Sequence, residues 1–139
     1  MELQKLYERG DRDFTIFDFR TVNLQRLVLS GGNFHETNLS GANLQSADLS
    51  RCDLGQANLS QARLRGVRLA KAYMSYANLQ EADLRGADLT NAYLSNANLR
   101  GANLCGANLT GAKVTDKQLS LAKLNWSTVF PNGRRGGLW

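Results

Sequence analysis

The sequence predicts an all-β solenoid, in which short extended segments and turns coil so that one residue in five points inward. Every fifth residue from Phe14 to Val129 is apolar, and most of these residues are Leu. The residue two places earlier is Ala in 13 of the 15 pentads between 42 and 112, with Cys52 and Val67 as the exceptions. The residue just before the apolar one is Asn or Asp in 15 of the 24 pentads. Each pentad therefore has the form A-(N/D)-L-x-x, with places called first to fifth.

A period of five fits neither a regular α-helix nor a flat β-strand. Five residues advance a helix by roughly 500°, which would spread the Leu residues over every side of it. On a strand, successive Leu residues would alternate between the two faces. The 13 Gly and 13 Asn residues also disfavour a long helix, whereas Asn, Asp and Gly suit turns that need unusual backbone angles. A coiled chain with a turn in every pentad satisfies all of these constraints.

The repeat resembles the pentapeptide-repeat family. Runs such as ANLQSADLS (42–50) and ADLRGADLTNAYLSNANLRGANLCGANLTGA (82–112) carry the resemblance, which covers residues 12–115. It implies a right-handed quadrilateral (four-sided) β-helix with four pentads per coil. It also implies that the third-place Leu is the central inward residue and that the first-place Ala is the second inward one. About five coils at a spacing of roughly 4.8 Å give a rod roughly 24 Å long.

The ends depart from the repeat and are predicted to cap a single domain. The predicted parts are an N-terminal helical cap (1–11), regular coils (12–115), a C-terminal cap (116–131) and a flexible tail (132–139). Thr115 is predicted to N-cap a helical turn, because Lys117 falls where a coil requires a small buried residue. The first coil should be wider, because bulky side chains take its first places: Phe17, Val22 and Leu27.

A coil of four pentads places residues n and n+20 in adjacent coils, which predicts columns of side chains on the surface. One column is a ladder in which Asn side chains hydrogen-bond to one another: Asn38, Asn58, Asn78 and Asn98. Arg63 should lie over Asp83, and Arg68 between Asp48 and Asp88, so that these charges are compensated. The segment 63–76 carries these unusual residues; a continuous coil is favoured there over a functional insertion, because the register survives without a gap.

Two columns stack like charges and a third stacks aromatic rings, which predicts a tentative surface patch. Its residues are Arg51, Arg65, Lys71, Tyr73, Arg85 and Tyr93. In this arrangement Arg51 lies over Lys71, Arg65 over Arg85 and Tyr73 over Tyr93. A solvated face without a binding role is the alternative interpretation of the same residues.

No catalytic, cofactor-binding or metal-binding residues are predicted. The single His, His35, has no second imidazole with which to hold a metal and no nucleophile placed by a motif. Cys52 is predicted to point inward and Cys105 outward two coils away, too far apart for a disulfide. No phosphate-binding glycine loop is present, since the Gly spacing follows the repeat.

These features favour a non-enzymatic protein-binding or scaffolding module that is a monomer with capped ends. The net charge of +5 leaves binding to nucleic acid or an anionic membrane surface as an alternative. The same sign argues against DNA mimicry directed at a type II topoisomerase, which requires a surface of carboxylates. The sequence has no apolar run long enough for a transmembrane helix and no signal peptide at its N-terminus, so a cytoplasmic protein is expected.

Overall fold

The computed structural model describes residues 3–135, and a ladder with a period of four pentads organises them. Parallel β-bridges join residues that are four pentads apart, beginning with Asp13 to Asn33 and continuing to Asn103 with Lys123. One coil therefore consists of four pentads, as the resemblance implies. Two helices flank the ladder, α1 (Leu3–Glu8) and α2 (Asp116–Leu119).

Four of the five places of the pentad donate characteristic backbone hydrogen bonds. The second-place N–H donates to the preceding coil, and the third-place and fifth-place N–H groups donate to the following coil, as in Asn58 to Thr37, Leu39 to Asn58 and Gly41 to Ser60. The first-place N–H donates to the central residue three positions earlier, which closes the turn between pentads. The fourth-place N–H has no backbone acceptor in the regular coils that the structure describes.

The core consists of the third-place and first-place side chains. Every third-place residue from Phe14 to Leu109 is at most 2% exposed, and the first-place residues from Ala42 to Ala112 are at most 6% exposed. Leu on one inward place and Ala on the other fill a coil whose backbone layers lie roughly 4.8 Å apart. The predicted inward assignment is confirmed for these positions.

The core of the first coil is filled by larger side chains, mainly Phe. Phe14 and Phe34 have ring centroids 5.2 Å apart, and Phe19 and Phe34 have centroids 5.6 Å apart. Gly32 takes the inward first place beside these rings, where an added Cβ would lie 3.0 Å from both Phe14 and Phe34. The predicted bulky residues, Phe17, Val22 and Leu27, are partly buried against this core.

Helix α1 covers the backbone edge of the first coil. Leu3 is buried, and the Gln4 side chain donates to the Val28 carbonyl oxygen and accepts from the Val28 N–H at 3.0 and 2.8 Å. The Tyr7 hydroxyl donates to the Ser30 carbonyl oxygen at 2.7 Å. The Gln4 carboxamide thus forms the two bonds that a neighbouring coil would otherwise form, which blocks an open sheet edge.

Helix α2 covers the other end in a similar way. Thr115 is its N-cap, as predicted, and forms a capping box with Gln118. The Gln118 Nε2 donates to the carbonyl oxygens of Leu94 and Ala97 at 2.7 and 3.0 Å. Leu119 keeps the inward position and is buried.

The last coil contains one extra residue, so Val129 keeps the apolar five-residue period in the sequence but does not point inward. Asn108 bridges to Val129, whereas the regular offset would have reached Thr128. Thr128 and Phe130 are buried in the two inward places, and the Thr128 hydroxyl donates to the Leu104 carbonyl oxygen at 2.9 Å. Val129 consequently occupies a second place, whose side chain points away from the core.

The ordered chain continues into the segment predicted to be a flexible tail (132–139). Val129 and Arg135 form an antiparallel bridge, and the Phe130 N–H donates to the Arg134 carbonyl oxygen at 2.7 Å. Arg134 and Arg135 thus contact the C-terminal cap, and the boundary at 131 stays a prediction. Residues 136–139 lie outside the described residues.

Candidate functional site

Long side chains interrupt the repeat at two adjoining columns of the surface. Arg51 and Lys71 occupy the fifth place, where the backbone is left-handed at φ of 58° and 61°. This conformation is adopted most readily by Gly and Asn, and the same column continues as Asn91 and Gly111. The two basic side chains are exposed and form no ion pair within residues 3–135.

The neighbouring column replaces Asn and Asp by aromatic and basic residues. Tyr73 bridges to Tyr93, and Tyr93 bridges to Lys113. The two Tyr rings are stacked, with centroids 5.0 Å apart and planes 8° apart, as the column rule predicts. They are 52% and 39% exposed, and neither hydroxyl bonds to another group in the part of the chain that the structure describes.

Two clefts connect these columns into one surface. A cleft of about 430 Å³ is lined by Arg51, Lys71, Tyr73, Asn91, Tyr93 and Lys113. A second cleft of about 480 Å³ adjoins it and adds Arg68 and Ala70. We call this surface the basic–aromatic strip, formed by Arg51, Arg68, Lys71, Tyr73, Tyr93 and Lys113.

The strip unites four of the six residues in the predicted patch and separates the other two. Arg65 and Arg85 line neither of these clefts, because their column lies more than one pentad from that of Lys71 around the coil. Arg85 also has a partner, since its Nη2 lies 2.6 Å from the Asp83 carboxylate. The hydrogen bonds from Arg85 hold the pKa of Asp83 below its ordinary value.

Arg68 and Lys113 belong to the strip but are absent from the predicted patch. Lys113 stands four pentads after Tyr93, so the column rule contains the signal that would have found it. The same rule pairs Arg68 with carboxylates instead. That pairing is wrong: within residues 3–135 neither Arg63 nor Arg68 forms an ion pair, and Asp83 binds Arg85 instead.

The predicted ladder of Asn side chains is also wrong, because the side-chain oxygens bond to the backbone. Every second-place Asn and Asp residue from Asp13 to Asn108 accepts from the fourth-place N–H of its own pentad, at 2.9–3.2 Å. Asn38 and Asn58, for example, each accept from the N–H and the hydroxyl of a Ser. These bonds satisfy the N–H that the ladder leaves over.

Where the second place is Arg or Tyr, that acceptor is missing. The N–H groups of Ala70, Ser75 and Ser95 follow Arg68, Tyr73 and Tyr93, and none has a hydrogen-bond partner within the described chain. Arg63 leaves the Arg65 N–H without an acceptor in the same way on another side of the rod, so three of these four departures lie at the strip.

The residues considered for other chemistry lie apart from the strip or inside the core. His35 Nδ1 lies 3.3 Å from Asp53 Oδ1 and its Nε2 lies 3.6 Å from Glu36 Oε1. Cys52 is buried, and burial raises the pKa of its thiol to about 12. Cys105 is half-buried, and both thiols are free. Residues 3–135 contain no cluster of three or more side chains suited to a metal.

A further cleft of about 560 Å³ lies where helix α2 meets the last regular coil. Its lining includes Val114, Lys117 and Leu121. Neither helix within residues 3–135 is long and apolar enough to cross a membrane.

Known proteins with this repeat are similar to the chain in sequence and structure. A family model described as pentapeptide repeats matches residues 18–56, 52–91 and 87–125. The crystal structure of HetL from Nostoc sp. strain PCC 7120, a protein involved in heterocyst differentiation regulation, is 38% identical with a TM-score of 0.55. That match covers 82% of this chain and 48% of HetL, so the chain spans about half the length of that relative.

Two other solved structures are similar to the chain with TM-scores below 0.5. Rfr23 from Cyanothece 51142 is 37% identical with a TM-score of 0.35, over 76% of this chain and 65% of its own. QnrB1, a plasmid-mediated fluoroquinolone resistance protein, is 18% identical with a TM-score of 0.43, over 85% of this chain and 77% of its own. No curated protein matches the sequence significantly. Since the family model covers more than half of the sequence, the chain belongs to the pentapeptide-repeat family.

Proposed function

We propose that this protein is a non-enzymatic module that binds or scaffolds another protein through the basic–aromatic strip. One observation carries the proposal: basic and aromatic side chains replace short ones in two adjoining columns, and among them only Lys113 bonds elsewhere in the described chain, through one long hydrogen bond. The second-place Asn and Asp side chains instead accept hydrogen bonds from the backbone of their own pentads. A backbone fixed by coil-to-coil bonds holds such side chains at a constant spacing, which suits recognition.

Affinity capture with crosslinking in the native host tests this function. We expect specific protein partners to be recovered with the unmodified chain and lost with the variant Arg51→Asn/Lys71→Asn. Capture of no protein above a tag-only control would contradict the proposal. A non-catalytic role is consistent with a surface whose one His lies beside two carboxylates and lines neither cleft of the strip.

Binding to nucleic acid or to an anionic membrane surface is the second candidate, favoured by the net charge of +5 and by Arg51, Lys71 and Lys113 around one cleft. It predicts binding that weakens steeply with salt. Binding of an oligonucleotide or a vesicle at about 50 mM salt that is lost as the salt concentration rises would support it.

DNA mimicry is not proposed, because the excess charge is positive. Inhibition of gyrase supercoiling by added protein would contradict this exclusion.

We further propose a right-handed four-sided winding, a monomeric state and a cytoplasmic location. The four-pentad coil supports the first, and the Gln4 and Gln118 bonds over the two backbone edges support the second. Two free thiols support a reducing compartment. Crystallography, light scattering against the 15.3 kDa chain mass and cell fractionation test the three in turn.

A further inference from the structure

We propose that the basic–aromatic strip binds an extended acidic segment of a partner protein. Carboxylates of that segment would pair with Arg51, Lys71 and Lys113, and its other acceptors would meet the hydroxyls of Tyr73 and Tyr93. This inference rests on the proposed function, since it names the chemistry of the protein partner.

The positive charges of the strip indicate that its ligand is an anion. Three basic side chains surround the 430 Å³ cleft, and no carboxylate of the described chain lines it. Arg51 and Lys71 form no ion pair in residues 3–135, and the Lys113 ammonium has only a long bond of 3.4 Å to the Gly111 carbonyl oxygen. Like charges held close together repel one another, so a bound carboxylate lowers the energy of all three groups.

The hydrogen-bonding groups of the strip are also one-sided. The basic groups, the two Tyr hydroxyls and the N–H groups of Ala70, Ser75 and Ser95 can all donate, and within the described chain none of these N–H groups has an acceptor. An ionised carboxylate only accepts hydrogen bonds. A segment rich in Asp and Glu, with its own backbone carbonyl groups, therefore complements the strip.

The geometry of the Tyr pair favours a peptide over single-stranded nucleic acid. The two rings stack on each other with centroids 5.0 Å apart, close to the spacing of adjacent strands. One face of each ring is therefore covered by the other ring. A protein that binds single strands usually offers open aromatic faces on which bases stack. In this pair one face of each ring is covered by the other ring, and both hydroxyls remain without a partner in the described chain.

The carboxylates at the margins of the strip point to a short ligand. Asp53 bridges to Tyr73 in the next coil, and Asp48 lines the adjoining cleft with Arg51 and Arg68. A continuous phosphate backbone would have to pass these negative groups. A short acidic segment can place its carboxylates within the central cleft alone.

Fluorescence anisotropy with a defined probe tests this inference. The probe is a fluorescein-labelled peptide of twelve residues in which Glu alternates with Ser, at about 50 mM salt, where screening is weak. The two test variants follow residues found elsewhere in the repeat: Arg51→Asn/Lys71→Asn follows Asn91, and Tyr73→Asn/Tyr93→Asn follows Asn33. Both should therefore fold, which thermal unfolding by circular dichroism verifies.

The matched control is Arg65→Gln/Arg100→Gln, which removes the same charge outside the strip and follows Gln45 and Gln80. We expect Arg51→Asn/Lys71→Asn to weaken peptide binding about tenfold or more, the Tyr variant to weaken it several-fold, and the control to change it less than about twofold.

Three results would overturn the inference. They are no peptide binding at about 50 mM salt, an equal loss in the control, and tighter binding of a twelve-residue oligo-dT or of phosphatidylserine vesicles that the strip variants abolish. If a captured protein partner is lost with Arg51→Asn/Lys71→Asn but the acidic peptide does not bind the unmodified chain, the proposed function stands and this inference alone fails.

Discussion

The side chain before each central residue completes the hydrogen bonding of the coil. Four of the five N–H groups in a pentad find carbonyl acceptors along the ladder or in the turn. The fifth finds the side-chain oxygen of Asn or Asp, as at Asn58 and Asp88. A buried or half-buried N–H without an acceptor is costly, so the repeat retains a short side chain with an oxygen at this place.

Removing one such oxygen should therefore lower stability without touching the core. Asn58→Ala is expected to cost about 1 kcal/mol, because it leaves the Ser60 N–H and hydroxyl without their acceptor. Asn58→Asp retains the oxygen and should cost much less. Urea unfolding of both variants measures the difference; equal stabilities of the two would contradict the role assigned to the oxygen.

Gly32 has a different role from the glycines at the fifth place. Its added Cβ would lie 2.9 Å from the Leu29 carbonyl oxygen and 3.0 Å from two Phe rings, whereas one on Gly86 would touch nothing within 4 Å. Gly32→Ala should cost about 1–3 kcal/mol through overpacking, and Gly86→Ala about 1 kcal/mol through its positive φ of 68°. Thermal unfolding of the two variants compares them, and a smaller cost at Gly32 would contradict this account of the first coil.

The Asp83–Arg85 pair should make stability depend weakly on pH. The pKa of Asp83 is lowered in the folded state by hydrogen bonds from Arg85, so its contribution is fully present above the unfolded value of about 4 and is lost as pH falls through the lowered folded value. Asp83→Asn retains an acceptor oxygen for the Arg85 N–H but removes the charge. We expect a loss below about 1 kcal/mol at pH 7 that vanishes at about pH 2. Urea unfolding at both pH values checks this, and an undiminished difference in acid would refute it.

At the scale of elements, each of the two helices covers a backbone edge of the coils with the carboxamide of one Gln. Gln4 in α1 and Gln118 in α2 place a side-chain carboxamide where the next coil would place a peptide group. A carboxamide has the same donor and acceptor as a peptide bond, so a single side chain can end a ladder. The helices are short, at 6 and 4 residues, and these contacts hold them on the coils.

Gln118→Glu should separate capping of the helix from attachment to the coil. Glu can still accept from the Thr115 N–H, as Gln118 does at 2.9 Å, but an ionised carboxylate cannot donate to the Leu94 and Ala97 carbonyl oxygens. We expect a loss of about 1–3 kcal/mol at neutral pH and faster amide exchange confined to the C-terminal cap. Hydrogen exchange monitored by mass spectrometry measures it; protection unchanged from that of the natural chain would be inconsistent with this attachment.

The column rule predicted the elements well and the side-chain partners less well. It placed Tyr73 over Tyr93 and Arg63 over Asp83, because the four-pentad spacing follows from the repeat. It did not predict the partner of Asp83. The turn within the pentad places Arg85 against that carboxylate, so Arg63 in the adjacent coil does not pair with it. The extra residue before Val129 could not be recognised in the sequence. Val129 continues the apolar five-residue period, although Phe130 is the residue that is buried in the core.

For the whole molecule, stability should depend on the position of a coil in the stack. Leu84 is fully buried between two coils, whereas Leu124 is only partly buried near the end. Leu84→Ala should cost about 2–5 kcal/mol, and Leu124→Ala clearly less, because a terminal coil has one neighbour. Chemical denaturation ranks the two; an equal or larger cost at Leu124 would show that the end coil is as tightly packed as the middle.

At the same scale, the structure separates two residues of the predicted patch from the other four for a geometric reason. Residues near one another in sequence, such as Arg65 and Lys71, lie more than one pentad apart on a coil and therefore point in different directions. Side chains share a surface only when their numbers agree closely after whole coils are subtracted, as they do for Lys71, Tyr73 and Lys113.

The four-pentad period also determines how the chain can change in length. An insertion of one whole coil within the ladder would lengthen the rod and return every later residue to its column. An insertion of a single pentad preserves the Leu spacing equally well, yet it would rotate everything after it by a quarter of a coil. Placed between Lys71 and Lys113, such an insertion would keep the core intact while splitting the basic–aromatic strip across two sides. Fold and recognition therefore tolerate different insertions: the core accepts any whole number of pentads, and the surface accepts only whole coils.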